Sequence, residues 1–345
     1  MKTIVLGQTG LEVSKVGFGG IPIQRLTEAK AIRVLHRCLD LGVTFLDTAN
    51  AYTTSEERIG KAIAGRRHRV IIATKTMAPD KATAQEHLEL SLRRLNTDFI
   101  DLWQFHNIGD FEKYERVLGP DGAMEAAKEA VQSGKVKHIG ITSHSMEVAQ
   151  KAIRSGLFKT IQFPFNFITC EPAEELVPLA QQRGLGFIAM KPFGGGLLGP
   201  ANLAIKYLLQ FDSVVPDPGI ETVEEIEEIA AIVDGPWALT EYEHHEIEQL
   251  RGELGTRFCR RCDYCQPCPE GVRISAVMHL RSHWKRLPPE AFVSGWVGKA
   301  AETGRNCTQC GECEDKCPYH LPIREMLAEN LDFYDQIMEQ ARRTT

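Results

Sequence analysis

Eight short apolar runs alternate with eight amphipathic segments between residues 16 and 233, and this alternation restricts the fold more than any other feature. The runs are 16–18, 44–46, 70–74, 99–105, 138–142, 160–165, 186–190 and 213–215. The segments are 27–41, 55–64, 83–95, 123–132, 146–155, 173–182, 200–210 and 222–233. In 173–182, Leu176, Leu179 and Ala180 recur at the spacing of one buried helical face. Thr222-Val-Glu-Glu, ahead of Ile226 and Ile229, reads as a capping box. Strands joined through helices run parallel, since each connection must cross back over the sheet. At this length, eight such units predict an α/β chain with a (β/α)8 TIM barrel rather than an open doubly wound sheet. Residues 2–13, with a turn at Gln8-Thr9-Gly10, predict an added hairpin ahead of the first barrel strand.

The alternation stops near residue 255, which divides the chain into a barrel over 1–255 and a second domain over 256–345. The tail holds 13 Lys/Arg against 12 Asp/Glu, so it is no charged interaction arm. Its signature is cysteine: of the ten in the chain, eight lie within 259–317. The amino terminus, Met-Lys-Thr-Ile-Val-Leu-Gly, lacks the long apolar core of a signal peptide. A chain kept in a reducing compartment uses clustered thiols as ligands, not as disulfides. The second motif is Cys307-x2-Cys310-x2-Cys313-x3-Cys317-Pro318, the run of bacterial ferredoxins. The first, Cys259-x2-Cys262-x2-Cys265-x2-Cys268-Pro269, is one residue shorter before its last cysteine. Both continue as Cys-Pro-x-x-(Val/Leu)-x-Ile, through Val272/Ile274 and Leu321/Ile323, which marks an internal repeat.

Two pseudo-symmetric halves that exchange their fourth ligands predict two [4Fe-4S] clusters. One takes Cys259, Cys262, Cys265 and Cys317; the other takes Cys307, Cys310, Cys313 and Cys268. The tail is thus expected to be a small, mainly α-helical, ferredoxin-like iron–sulfur domain. The alternative is zinc, which pairs two distant CxxC hooks and fits motifs closing on Cys-Pro poorly. Different ligand sharing, or a single cluster, stays open because of the short gap before Cys268. Cys38, within a helix, and Cys170, in a loop, read as inert.

Lys and Arg number 40 against 46 Asp and Glu, a net charge of −6, which argues against a nucleic-acid binder. No stretch reaches the length of a membrane span. A cytoplasmic location is expected.

Chemistry in a (β/α)8 barrel sits at the carboxyl ends of strands. There the second strand delivers Asp47 with Tyr52 following, the third Lys75, and the fourth His106. Each alone has a plain structural reading, as a loop cap, an ion-pair partner, a packed ring or a strand-end histidine. Together they form an acid-catalysis set. A phenol ionises near pH 10; a nearby ammonium lowers that value, and a carboxylate can hold the ammonium in place. A histidine can orient a carbonyl oxygen.

At these residues the sequence resembles the aldo-keto reductase family. The matching elements are Gly17-Phe-Gly-Gly20, Asp47-x4-Tyr52 with Glu57-Arg-Ile-Gly60, Lys75, His106, Ile139-Gly-Ile-Thr-Ser143, Gln162 and Lys191-Pro-Phe-Gly-Gly195. The resemblance implies a barrel that reduces carbonyls, or oxidises alcohols, with NAD(H) or NADP(H). It makes Tyr52 the general acid, Asp47 and Lys75 the groups that lower its pKa, and His106 the residue that orients the carbonyl. Ser143 and Gln162 would hold the nicotinamide carboxamide. Gly20, Ile21, Thr142, Met190, Lys191, Phe193, Gly194, Gly219 and Glu225 complete the implied cofactor-binding set. The whole chain resembles the subgroup with a carboxyl-terminal ferredoxin-type domain, in which His144 and Lys191 are characteristic.

Two departures bear on the cofactor. Met190 stands where a ring usually stacks on nicotinamide. The loop after the eighth run carries Glu221, Glu224 and Glu225 and no basic residue, an arrangement that favours NADH.

The expected function is an oxidoreductase acting on a small-molecule carbonyl or alcohol, its clusters serving electron transfer or stability. Hydride moves two electrons and each cluster one, and no flavin motif links them. The rival is an electron-transfer protein docking a redox partner protein, with the barrel as scaffold. A weaker third reading makes the tail purely structural.

Overall fold

The computed structural model describes residues 1–344. Contacts divide the chain into two compact units: Met1–Gly194 with Leu198–Thr240, and the chain from Glu241 onward with Gly195–Leu197. The helix Glu241–Leu254 thus groups with the second unit, whereas the composition change had suggested a boundary at its far end.

Eight parallel strands build the first unit: β1 Phe18–Gly19, β2 Phe45–Asp47, β3 Ile71–Thr76, β4 Ile100–Phe105, β5 Val136–Thr142, β6 Thr160–Pro164, β7 Gly186–Met190 and β8 Val214–Asp217. Each pairs with its sequence neighbour. The ring closes between first and last, where Gly17 N donates to Pro216 O and Gly19 N to Pro218 O, both at 2.8 Å. β1 starts later than its apolar run because Val16 and Gly17 lie ahead of the pairing with β2.

Side chains alternate along these strands. Leu46, Ile72, Trp103, Phe105, Ile141, Ile161 and Phe187 pack outward with the helices. Trp103 and Phe105 therefore lie in the helix layer and not in the barrel mouth. Phe45, Ala73, Leu102, Ile188 and Val215 fill the interior. The amino-terminal hairpin, Thr3–Val5 against Glu12–Ser14, adds Leu6, Leu11 and Val13 to that interior cluster. It plugs the barrel at the end opposite the strand carboxyl termini.

The helices begin on side-chain caps. Thr27, Asp80, Ser145 and Thr222 accept from Lys30 N, Thr83 N, Val148 N and Glu225 N. The capping box at Thr222 forms as its spacing predicts. The segment 173–182 departs from expectation, splitting into Pro172–Glu175 and Val177–Gln182. Pro178 lacks the N–H that a continuous helix needs there and crowds the preceding turn. One helix, Phe111–Leu118, has no counterpart in the expected pattern; Asp110 caps it through Lys113 N at 2.8 Å.

The second unit is helical among the described residues. Its helices are Glu241–Leu254, Ile274–Met278, Leu280–Arg286, Pro289–Val293, Trp296–Gly304, Glu312–Asp315 and Ile323–Thr344. Val272, Ile274, Val277, Leu280, Phe292 and Leu327 anchor its separate core, against which several of the cysteines pack. No helix of the described residues is long and apolar enough to cross a membrane.

Candidate active site

Asp47 ends β2 and Lys75 lies near the end of β3; both are almost fully buried and pair directly. Lys75 Nζ also donates to Thr48 O at 2.7 Å. Burial alone would lower the Lys75 ammonium. Asp47, Tyr52 and Asp217 together outweigh it, so the group stays charged, above its usual 10.5. Tyr52 sits in the turn after β2, where Tyr52 N donates to Ala49 O and Ser55 N to Tyr52 O. Lys75 Nζ lies 5.3 Å from the centre of the Tyr52 ring. The His106 ring meets that of Tyr52 edge-on, centroids 5.7 Å apart. The four predicted residues therefore converge at one rim.

The loop carrying His106 is tied down from β3 and β5. His106 N donates to Thr76 O, Asn107 N to Thr142 Oγ1 and Ile108 N to Thr142 O. Ser143 Oγ donates to Ile108 O at 2.7 Å and accepts from Ser145 N. Thr142 and Ser143 thus have a visible task, to hold the imidazole loop.

A polar layer lies beneath the rim. Gln104 Nε2 donates to Gln162 Oε1 at 2.9 Å and reaches Asp47 Oδ1 at 3.4 Å. Gln162 Nε2 donates to Asp217 Oδ2 at 3.2 Å and reaches Asp47 Oδ2 at 3.4 Å. Both functional atoms of Gln162 thereby have partners inside the barrel. Gln104 and Asp217 were not foreseen. A signal was available for Asp217, the lone polar residue of an otherwise apolar strand, whereas Gln104 shares its strand with Asp101.

The remaining predicted residues ring the strand ends. Gly20 N donates to Asp47 O at 2.7 Å, and a Cβ there would meet that oxygen at 2.8 Å. Ile21 leads into the turn Pro22–Arg25, and Gly219 bridges to Gly19. Met190 ends β7 opposite Asp217, half-buried. Lys191 adopts a left-handed backbone, φ 60°, its carbonyl accepting from Asn166 Nδ2. Its ammonium donates to His144 Nε2 at 2.7 Å. Phe193 packs on the barrel core, and Gly194 is left-handed. Glu225 Oε2 accepts from Glu221 N and Thr222 N, so its carboxylate is committed to the helix cap. The loop is also less purely acidic than its own residues suggest, because Arg25 Nε stands 4.0 Å from Glu221.

The aldo/keto reductase family model matches residues 15–202. The chain belongs to the aldo/keto reductase family. It is thus an oxidoreductase of the aldo/keto reductase type. The uncharacterized oxidoreductase YrpG of Bacillus subtilis (strain 168) is 34% identical over 230 residues, 58% of this chain and 68% of that protein. The holo form of aldo-keto reductase AKR11C1 from Bacillus halodurans superposes with TM-score 0.64 at 29% identity, covering 72% of this chain and 96% of that one. An aldo-keto reductase from Klebsiella pneumoniae in complex with NADPH has TM-score 0.62 at 23% identity, covering 73% and 95%; at that identity the likeness speaks for the fold.

The cysteine motifs of this reductase lie beyond the matched residues. Cys259, Cys262, Cys265 and Cys317 line one open cavity. Cys268, Cys307, Cys310 and Cys313 line a second, which Cys265 and Ile274 also border. All ten cysteines are free of disulfides. The two motifs share a backbone trace. Arg261 and Asp263, both at φ 62°, repeat at Gln309, φ 62°, and Gly311, φ 88°, in the same places between the thiols. A non-glycine residue held left-handed costs on the order of 1–3 kcal/mol and clusters at ligand clamps. Burial foremost, with the neighbouring Cys262 thiol, pushes the Cys259 thiol up to about 12.

Proposed function

We propose that the barrel transfers hydride between NAD(P)(H) and a small carbonyl or alcohol, with Tyr52 giving or taking the proton. When bound, the nicotinamide supplies or accepts the hydride. Every other task falls to the chain. Tyr52 Oη protonates the carbonyl oxygen during reduction and recovers the proton in the reverse direction. Lys75, kept charged, favours the phenolate left behind. Asp47 fixes the ammonium, and His106 orients the carbonyl oxygen. The single observation carrying this reading is the convergence of Tyr52 and His106 on the buried Lys75–Asp47 pair.

The cofactor would lie over the ends of β5 to β8, bordered by Gly20, Ile21, Thr142, Ser143, Met190, Lys191, Phe193, Gly194, Gly219 and Glu225. The donor set suits it: a phenol, an ammonium and an imidazole share one rim. NADH is the favoured partner, because Glu221 neutralises Arg25, the cation beside the loop. Its test is turnover of a panel of small aldehydes and ketones by the wild type and Tyr52→Phe.

The second unit is read as a ferredoxin-like domain with two [4Fe-4S] clusters, each supplying one-electron chemistry. What supports it is the crossing of the last cysteines: Cys317 joins Cys259, Cys262 and Cys265 around one cavity, and Cys268 joins Cys307, Cys310 and Cys313 around the other, with Cys265 bordering both. Among the described residues no three Cys, His, Asp or Glu side chains close on a single-ion site. Thiols spread around a cavity suit a polynuclear group better than zinc, whose ligands lie about 2.3 Å from one ion. Cys310 is exposed, so the second set reaches the surface, where a redox partner protein can dock. Cytoplasmic residence goes with these reduced ligand thiols.

A further inference from the structure

Asp217 is the barrel group that this chemistry leaves unused. It closes β8 and is 5% exposed. The charged and titratable groups facing it are Asp47 from β2 and Lys75 from β3, with the neutral Gln162 from β6. Ahead of β1, Gly17 offers only backbone: a Cβ there would lie 3.0 Å from Asp217 Oδ1. One donor reaches the carboxyl, Gln162 Nε2 on Oδ2, and that nitrogen is shared with Asp47. Oδ1 is buried and accepts from none of the described residues. A carboxylate oxygen without a donor is costly in such a site. Two carboxyls also divide one ammonium, and the direct ion pair with Lys75 belongs to Asp47.

We propose that Asp217 carries a proton at neutral pH and shares it in a hydrogen bond with Asp47, acting as a positioning residue that keeps one carboxylate opposite one ammonium behind Tyr52. The direction of its titration agrees. Burial first, then the negative charge of Asp47, outweigh Lys75 and hold the Asp217 carboxyl well above its ordinary 3.8. The functional consequence rests on Tyr52 being the proton donor. While Asp217 is neutral, Lys75 exerts a net positive pull on the phenol. As pH rises and Asp217 ionises, a second negative charge offsets that pull and makes the phenol harder to ionise. Loss of carbonyl reduction with rising pH is therefore drawn out over a wider range than one independent group would give.

Two measurements on the full-length protein test this. The first is a carbon-13 NMR titration of protein labelled at the aspartate carboxyls, with Asp217→Asn for assignment. One resonance should titrate above pH 7 and vanish in the variant. A wild type in which every aspartate carboxyl titrates below pH 7 overturns the proposal, and needs no variant to do so. The second is the pH profile of kcat/KM for carbonyl reduction. Asp217→Asn should turn the drawn-out alkaline limb into a single step. A limb that superimposes on the wild type overturns the positioning role, since loss of packing alone would not reshape it. The NMR readout does not depend on turnover, so failure of the Tyr52 assignment leaves it standing and is told apart from failure of this inference.

Discussion

Replacing Lys75 with methionine isolates the charge that this barrel buries. Lys75 and Asp47 are 2% and 4% exposed, so water screens neither. Methionine keeps much of the stem and removes the ammonium. Asp47 then keeps only uncharged donors, Gln104 Nε2 and Gln162 Nε2, each at 3.4 Å, and the proton proposed on Asp217. Removing one partner of a buried pair costs about 3–5 kcal/mol, because the other charge stays behind uncompensated. Against the roughly 5–15 kcal/mol of a typical domain, that is a large share. Asp47→Asn in the same chain removes the stranded charge and should restore most of the stability. Activity should not follow. Without the ammonium nothing favours the phenolate, and carbonyl reduction falls about 10²–10⁴-fold in both the single and the double variant. Urea unfolding followed by circular dichroism, beside steady-state kinetics at pH 7, reads both effects. The sign with pH follows from Lys75. Its ammonium is held above 10.5 in the folded state, so its contribution is full below that pH and is lost as pH rises through the higher folded value. A Lys75→Met protein with the wild-type midpoint, or a double variant no more stable than the single, would refute the reasoning.

Anaerobically purified protein should be brown and contain iron and sulfide. Cys317→Ser should perturb the electron paramagnetic resonance of the cluster on Cys259, Cys262 and Cys265 and spare that of its sequence neighbours; stoichiometric zinc without iron would contradict both. NADH should bind at least as tightly as NADPH. A charge-assisted hydrogen bond to the 2′-phosphate is worth about 1.5–3 kcal/mol, so its absence shifts the preference roughly tenfold to a hundredfold. Glu221→Gln, by releasing Arg25, should narrow that gap in nucleotide titrations; an NADPH dissociation constant tenfold below that of NADH in the wild type would count against the loop reading.

Much of this architecture was legible because it is periodic. The barrel strands and their helices follow from apolar spacing, and the cap at Thr222 from a local pattern whose two hydrogen bonds span three residues. What escaped depends on contacts distant in sequence. Whether Trp103 and Phe105 point inward is decided by the register of β4 against β3 and β5, which no local pattern states. The same register turns Gln104 inward, two residues before the His106 rim. Asp217 meets Asp47 only because the sheet closes on itself. Arg25 neutralises Glu221 from a turn on the far side of the chain, so the acidic loop looked more negative alone than it is in place. The helix Phe111–Leu118 hides because two of its eight residues, Tyr114 and Val117, are buried. The four residues proposed as catalytic were readable one strand end at a time, since Asp47 and Tyr52 come at and just after the end of β2, Lys75 near that of β3 and His106 just after that of β4.

The most direct test of the account is a single-turnover measurement of hydride transfer to a reducible aldehyde, comparing wild type with Tyr52→Phe at saturating nucleotide. The phenol is the proton source assigned to the reacting oxygen, and general acid catalysis is typically worth about 10²–10⁴-fold. Tyr52→Phe should lose transfer by that factor while its nucleotide dissociation constant stays close to that of the wild type. Undiminished transfer in the variant would contradict the account.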